Sequence, residues 1–260
     1  MPSPLSRSVF TGAFLYAPAH CRLRVHRYLY RRILKRMQNA EIELKFPIDD
    51  LARLQSRLPR LGFQLDTPRT FEQNTLYDTS SRKLRLSTQI LRVRRYGDVW
   101  TVTHKRQPAN STGEADTRYK VRIETETRVD DGPALAAIFE QLEYYPVFRY
   151  EKFRTEWSQT MQCIEGPLFN NAELSPEVSQ LPKPTHLVLD ETPIGDFAEL
   201  EGPPAWIDQT LAVLEIDRSS CLTASYGRMF LEWKERTGSL AENLTFDEIS
   251  LPAGALVGAR

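Results

Sequence analysis

The chain has 260 residues, 41% hydrophobic and 26% charged, with 34 basic and 34 acidic side chains giving a formal net charge of zero. This composition excludes a disordered or fibrous chain and supplies enough apolar residues for a sizeable core. No apolar run approaches the roughly 18 residues that a bilayer-spanning helix needs.

The zero balance hides an asymmetry. Residues 1–40 hold eight basic and no acidic side chains, leaving 26 against 34, a net of −8, for the remainder. Within this arm Val9 to Ala19 resembles a signal h-region only weakly. The run RLRVHRYLYRRILKRM can form a helix with Leu29, Tyr30, Ile33, Leu34 and Met37 on one side and arginines on the other. Residues 1–38 therefore read as a basic extension: a membrane or nucleic-acid arm, a transit peptide, or an upstream extension from a misassigned start. Met37, close before the first acidic strand, favours the last. Cys21, Cys163 and Cys221 show no metal-ligand spacing and cannot all pair within the chain, which indicates a reducing compartment and a cytoplasmic protein.

EIELKF, Glu41 to Phe46, alternates strictly, with Ile42, Leu44 and Phe46 on one face of a strand and Glu41, Glu43 and Lys45 on the other. Asp49 and Asp50 open a helix with Leu51, Leu54, Leu58 and Leu61 on one face, closed by Gly62. Strands are expected at Arg69 to Asp78, Ile90 to Tyr96, Val99 to Lys105 and Tyr119 to Val129, the last two separated by the polar loop RQPANSTGEADT. A helix near Asp131, with Pro133 in its first turn, should turn Leu135, Ile138, Phe139 and Leu142 inward. Strands follow at Val147 to Thr155 and Glu156 to Ile164, then an exposed connection, Glu165 to Pro184. THLVLDETPIGDFAELEG reads as a hairpin between Leu187 to Glu191 and Phe197 to Glu201. Helices from about Pro204 to Leu214 and Leu222 to Glu235 end the domain, taken as residues 39–237, and 238–260 read as a loose tail. Short strands with irregularly placed helices indicate an antiparallel sheet or barrel with helices packed outside.

Charge recurs at i, i+2 in strand after strand. Arg92 and Arg94 oppose Leu91 and Val93; Arg122, Glu124 and Glu126 oppose Val121 and Ile123; Lys152 and Arg154 flank Phe153. Thr101, Thr103 and Lys105 share a face, and the hairpin adds Asp190, Glu199 and Glu201. One amphipathic strand is explained by a solvated surface. Seven are not, because exposed opposite-charge pairs contribute only about 0–1 kcal/mol. If these faces close inward, carboxylates for a hard divalent cation and cations for a polyanion share one lumen. His104 lies opposite Lys105 and reads as a packed histidine. Trp100, Trp157, Trp206 and Trp233 read as packing, with no basic aromatic stripe for nucleic acid in the body.

These residues carry a family resemblance. EIELK is similar to the ExExK signature of the CYTH superfamily, the triphosphate tunnel metalloenzymes, and LRVR, THK, RIETE, KFR, LDETPIGDFAELEG and SYGRMF follow in that family's order. The resemblance implies an α+β fold, a closed eight-stranded antiparallel barrel forming a tunnel. It further implies Mg2+ or Mn2+ bound by Glu41, Glu43, Glu124, Glu126, Asp190, Glu199 and Glu201. Phosphate would be gripped by Lys45, Arg92, Arg94, Lys105, Arg122, Lys152 and Arg154, with Glu41, Glu43 and Lys45 acting in catalysis. The implied activity is hydrolysis of inorganic triphosphate or a small organic triphosphate. Alternatives are a class IV adenylate cyclase and a non-catalytic polyphosphate-binding module.

Overall fold

The computed structural model describes residues 40–108, 118–159 and 185–250. Its strands are β1 (Ala40–Ile48), β2 (Gln64–Asp78), β3 (Ile90–Tyr96), β4 (Val99–Arg106), β5 (Lys120–Val129), β6 (Tyr145–Gln159), β7 (Thr185–Thr192) and β8 (Gly195–Glu201). All pair antiparallel, and they close in the order β1-β5-β4-β3-β2-β6-β7-β8. The closed eight-stranded barrel is thus the observed architecture. β1 completes the ring, pairing with β5 over Ala40 to Glu43 and with β8 over Glu43 to Ile48.

Directly paired residues of antiparallel strands point to the same side. Glu41 faces Arg122, Lys45 faces Glu199, Lys105 faces Glu124, and Arg154 faces Asp190. One register therefore carries the charges into the lumen. The apolar residues point outward, where helices cover them: Leu44, Phe46, Leu187, Leu189 and Leu200 form one core with Trp157, Trp206, Ile207 and Leu211. Each such side chain contributes roughly 1.5–3 kcal/mol on burial.

Helix α1 (Leu51–Arg57) is capped by the Asp50 carboxylate, which accepts from the Arg53 amide at 2.9 Å. Pro59 brings no amide donor, and the helix tightens into a 3-10 turn, Leu58–Leu61, ended by Gly62 at φ 82°. A short α2 (Lys83–Leu86) was not foreseen; it hangs on Asp78, whose oxygens accept from the Leu84 and Arg85 amides at 2.9 Å. The helices α3 (Gly132–Gln141), α4 (Pro204–Leu214), α5 (Tyr226–Thr237) and α6 (Phe246–Ser250), with a 3-10 turn at Arg218–Ser220, complete the helical elements of the described residues.

Several expectations are corrected. β6 is one continuous strand where two were expected, because Thr155 and Glu156 both continue the pairing with β7, and Glu156 resumes the pairing with β2 after a register shift. β2 begins at Gln64, five residues early, held by irregular pairing around Pro68. α5 starts at Tyr226, where Ser225 caps it, rather than at Leu222, which instead bridges β1. Of the residues expected inward from α3, Leu135 and Phe139 are half-buried, Phe139 packing edge-on to Tyr77, whereas Ile138 and the capping Leu142 are exposed. The stretch after Gly238 is not loose up to Ser250. Leu244 is fully buried, and its backbone is bonded to Arg149 and Glu151 of β6. The basic arm, residues 109–117 of the polar loop, the end of the expected strand at Ile164, the connection to Pro184 and residues 251–260 lie outside the described residues, as do Cys21 and Cys163.

Candidate active site in the barrel lumen

The lumen holds a cavity of about 420 Å³, within the range typical of ligand sites. Glu41, Glu43, Lys45, Arg92, Arg94, Lys105, Glu124, Glu126, Lys152, Arg154, Glu199 and Glu201 all line it. Twelve of the fourteen residues expected at the site are thus brought to one cavity. Arg122 is not among them. It pairs with Glu41 in register, but its guanidinium turns to donate to the Val121 carbonyl at 3.3 Å. Asp190 stands behind the wall, fully buried.

Asp190 organises cations instead of offering free oxygens. Arg154 donates to both its oxygens at 2.7 Å, Lys152 donates at 2.9 Å, and the Tyr226 hydroxyl donates at 2.6 Å. Glu199 takes a further bond from Arg154 at 2.8 Å and pairs with Lys45. The Tyr226 ring lies under two ammonium groups, Lys45 at 4.2 Å and Lys152 at 4.9 Å. This is a cation-π floor supplied by the first turn of α5. Burial alone would drive a proton off Lys45, but Glu199, Glu43 and Asp190 outweigh it and hold the ammonium above its ordinary pKa. Burial would likewise protonate Glu199. Lys45, Arg154 and Lys152 prevail and keep its carboxylate well below the usual range.

On the opposite wall Lys105 bridges Glu41 at 2.7 Å and Glu124 at 3.0 Å. Arg92 approaches Glu126 at 3.4 Å and Glu124 at 3.9 Å, and Arg94 reaches Glu126 at 3.1 Å. The Arg92 Nε is buried with no hydrogen-bond partner among the described residues. An orphaned guanidinium donor of this kind suits an anion in the cavity.

The remaining carboxylates form a distinct group. Glu41, Glu43 and Glu201 bring ligand oxygens within 4.8 Å of one another. Lys120 pairs with Glu43, whereas Glu201 has no ion-pair partner among the described residues. Burial, then the charge of Glu41, with Glu199 and Glu43 adding and Arg154 partly opposing, pushes Glu201 up to about 8. Three hard oxygen donors held this close, one of them uncompensated, fit a divalent cation of the Mg2+ or Mn2+ type. Of the seven carboxylates expected as ligands, only these three converge among the described residues, Glu41 and Glu43 being also paired with Lys105 and Lys120, while Glu124, Glu126, Asp190 and Glu199 are engaged by cations elsewhere on the wall.

Sequence reasoning missed Glu72, Asn74, Lys120, Tyr150 and Tyr226. Glu72 is fully buried, with Lys152 at 3.4 Å and Arg94 and Arg154 at 3.9 Å. Burial favours its proton, yet Lys152, Arg154, Arg94 and Arg92 hold its carboxyl far below the ordinary value. Lys120 sits two residues before Arg122 in the same register and was findable by extending that strand. The Tyr150 hydroxyl accepts from Arg92 at 3.3 Å. His104 bonds Gln89 at 2.9 Å, away from the cavity, as expected.

Among the described residues no helix is long and apolar enough to cross a membrane. No curated protein is significantly similar in sequence. Among solved structures, a candidate adenylate cyclase from Vibrio parahaemolyticus aligns with a TM-score of 0.53 at 15% identity, over 74% of this chain and 97% of its own. Two proteins of Pyrococcus horikoshii OT3 align with TM-scores of 0.53 and 0.51 at 18% and 17% identity. Those alignments cover 74% and 72% of this chain and 99% and 96% of theirs. These likenesses share the fold. The CYTH domain family model matches residues 39–216, which contain every charged residue of the lumen described above, and the chain belongs to the CYTH family.

Proposed function

We propose that this chain is a cytoplasmic metal-dependent triphosphatase that hydrolyses inorganic triphosphate or a small organic triphosphate within the barrel. The observation that carries the reading is the division of one lumen into a carboxylate trio, Glu41, Glu43 and Glu201, and a set of fixed cations, Lys45, Arg92, Arg94, Lys105, Lys152 and Arg154.

Phosphoryl transfer depends on positioning and on neutralising charge spread over the phosphate oxygens. Arg154 and Lys152 are already oriented by Asp190, and Lys45 by Glu199, so they meet a polyphosphate without reorganising. Arg92, with its unpartnered Nε, and Arg94 grip the chain from the facing wall. Glu41, Glu43 and Glu201 would hold Mg2+ or Mn2+, which when bound supplies neutralising charge and polarises a phosphoryl oxygen. A carboxylate oxygen of Glu41 or Glu43 accepts the proton of the attacking water.

The test is a parallel assay of the purified protein with Mg2+ or Mn2+, offering inorganic triphosphate and ATP while measuring orthophosphate, pyrophosphate and cyclic AMP. Triphosphate is expected to release orthophosphate faster than ATP yields any product. Cyclic AMP and pyrophosphate from ATP, with triphosphate intact, would replace hydrolysis by cyclisation. Tight binding with no turnover of either compound would leave a polyphosphate-binding module.

A further inference from the structure

Glu72 is a fully buried carboxylate that the proposed chemistry leaves without a task. It projects from β2, which lies between β3 and β6 in the barrel, and so stands behind cations from both neighbouring strands. Lys152 lies 3.4 Å from its Oε1, and Arg94 and Arg154 each lie 3.9 Å from its Oε2. These three cations line the main cavity. Each has a closer carboxylate of its own: Asp190 at 2.9 Å for Lys152 and at 2.7 Å for Arg154, and Glu126 at 3.1 Å for Arg94. None of them depends on Glu72 for its orientation. Glu72 accepts from the Asn74 side-chain amide at 2.9 Å, while its Oε2 accepts no hydrogen bond among the described residues. Burial favours its proton, but Lys152, Arg154, Arg94 and Arg92 keep it ionised. What Glu72 contributes to the wall is therefore charge, acting where water screens it poorly.

Inorganic triphosphate and the pyrophosphate left after its hydrolysis present the same kind of oxygens to the same cations. A wall with surplus positive charge retains the product, and holding substrate and product more tightly adds nothing to a rate set by release. We propose that Glu72 is a counter-charge behind the phosphate wall, weakening the hold of Arg94, Lys152 and Arg154 on polyphosphate so that the product leaves. It acts through those cations and does not touch the substrate. The inference rests on the triphosphate reading of the main cavity and deepens it. Deleting the charge tightens the site, whereas deleting a carboxylate that only supported the fold would loosen it.

The test is calorimetric titration of the full chain with inorganic pyrophosphate in the presence of Mg2+, together with steady-state hydrolysis of triphosphate. Glu72→Gln is expected to bind pyrophosphate about tenfold more tightly than the wild type, and its KM and kcat for triphosphate should both fall. Glu72→Asp keeps the charge and should stay within about threefold of the wild type. In a Glu72→Gln chain too unstable to titrate, the same difference is read as a larger rise of the unfolding midpoint on adding pyrophosphate than the wild type shows. Unchanged or weaker pyrophosphate binding by Glu72→Gln, a midpoint rise no larger than that of the wild type, or equal tightening by Glu72→Asp would overturn the counter-charge alone. Failure of the wild type to bind either pyrophosphate or triphosphate removes the triphosphate reading with it.

Discussion

At the scale of single residues, cations in the lumen differ in how firmly they are held, and that difference separates stability from function. Asp190 is buried beneath four charge-assisted hydrogen bonds from Arg154, Lys152 and Tyr226. Replacing it with alanine removes the closest partner of two buried cations, leaving Lys152 with Glu72 and Arg154 with Glu72 and Glu199, so Asp190→Ala should lower unfolding free energy by about 3–5 kcal/mol in a denaturant titration. Arg92 is held more loosely, its nearest carboxylate oxygen lying 3.4 Å away. Arg92→Ala should keep the unfolding midpoint and lower kcat/KM for triphosphate by tenfold or more, about 1.4 kcal/mol of transition-state stabilisation. The carboxylates divide similarly. Glu201→Gln removes the unpaired member of the trio, and the divalent cation concentration for half-maximal rate should rise, with triphosphate KM at saturating metal changing less. A metal titration that overlays the wild type would remove Glu201 from the ligand set.

At the scale of elements, the strap after α5 shows what packing adds that pattern does not reveal. Leu244 is fully buried and Phe246 packs on Phe153, although residues 239 to 245 show no helical or strand periodicity. Leu244→Ala should destabilise the fold by about 2–5 kcal/mol, read as a lowered unfolding midpoint. A chain ending at Gly238 should lose more than one ending at Ser250. Strands with one charged face and one apolar face, β1, β3 and β8, were legible because inside and outside differ in residue type. β2 was not. Gln73 and Thr75 on its outer face are as polar as Glu72 and Asn74 on its inner face, so alternation gave no contrast and the buried Glu72 escaped notice. β6 was split for a related reason: Thr155 and Glu156 look like a break, and it is the unbroken pairing with β7 that keeps the strand whole. Asp190 was legible as a lumen carboxylate, but its service to cations depends on neighbours in other strands and on Tyr226.

At the scale of the whole molecule, a polar interior ties stability to pH. Glu72 and Glu199 both have folded-state pKa values below the ordinary 4.5, because lumen cations outweigh their burial. Below that value the unfolded chain takes up protons that the folded barrel refuses. Their contribution is therefore present above about pH 4.5 and is lost as pH falls. Midpoints of thermal unfolding measured from pH 6 down to pH 3 should decline, and Glu72→Gln should show a shallower decline. The basic arm precedes β1 and shares no pattern with the barrel, so a chain beginning at Met37 should retain folding and turnover. A loss beyond about tenfold would bring the arm into the site.

The seam between β1 and β8 joins residues far apart in the chain: Lys45 and Glu199, partners across it, are separated by 154 positions. Closing so long a loop precedes any return from its contacts, which makes this seam a late and slow event in folding. Glu41 and Glu43 come from one side of it and Glu201 from the other. A chain emerging from the ribosome thus carries open strand edges until β8 has been synthesised. It then seals those edges and brings Glu201 to Glu41 and Glu43 in the same step, so that the carboxylate trio is complete only when the barrel is.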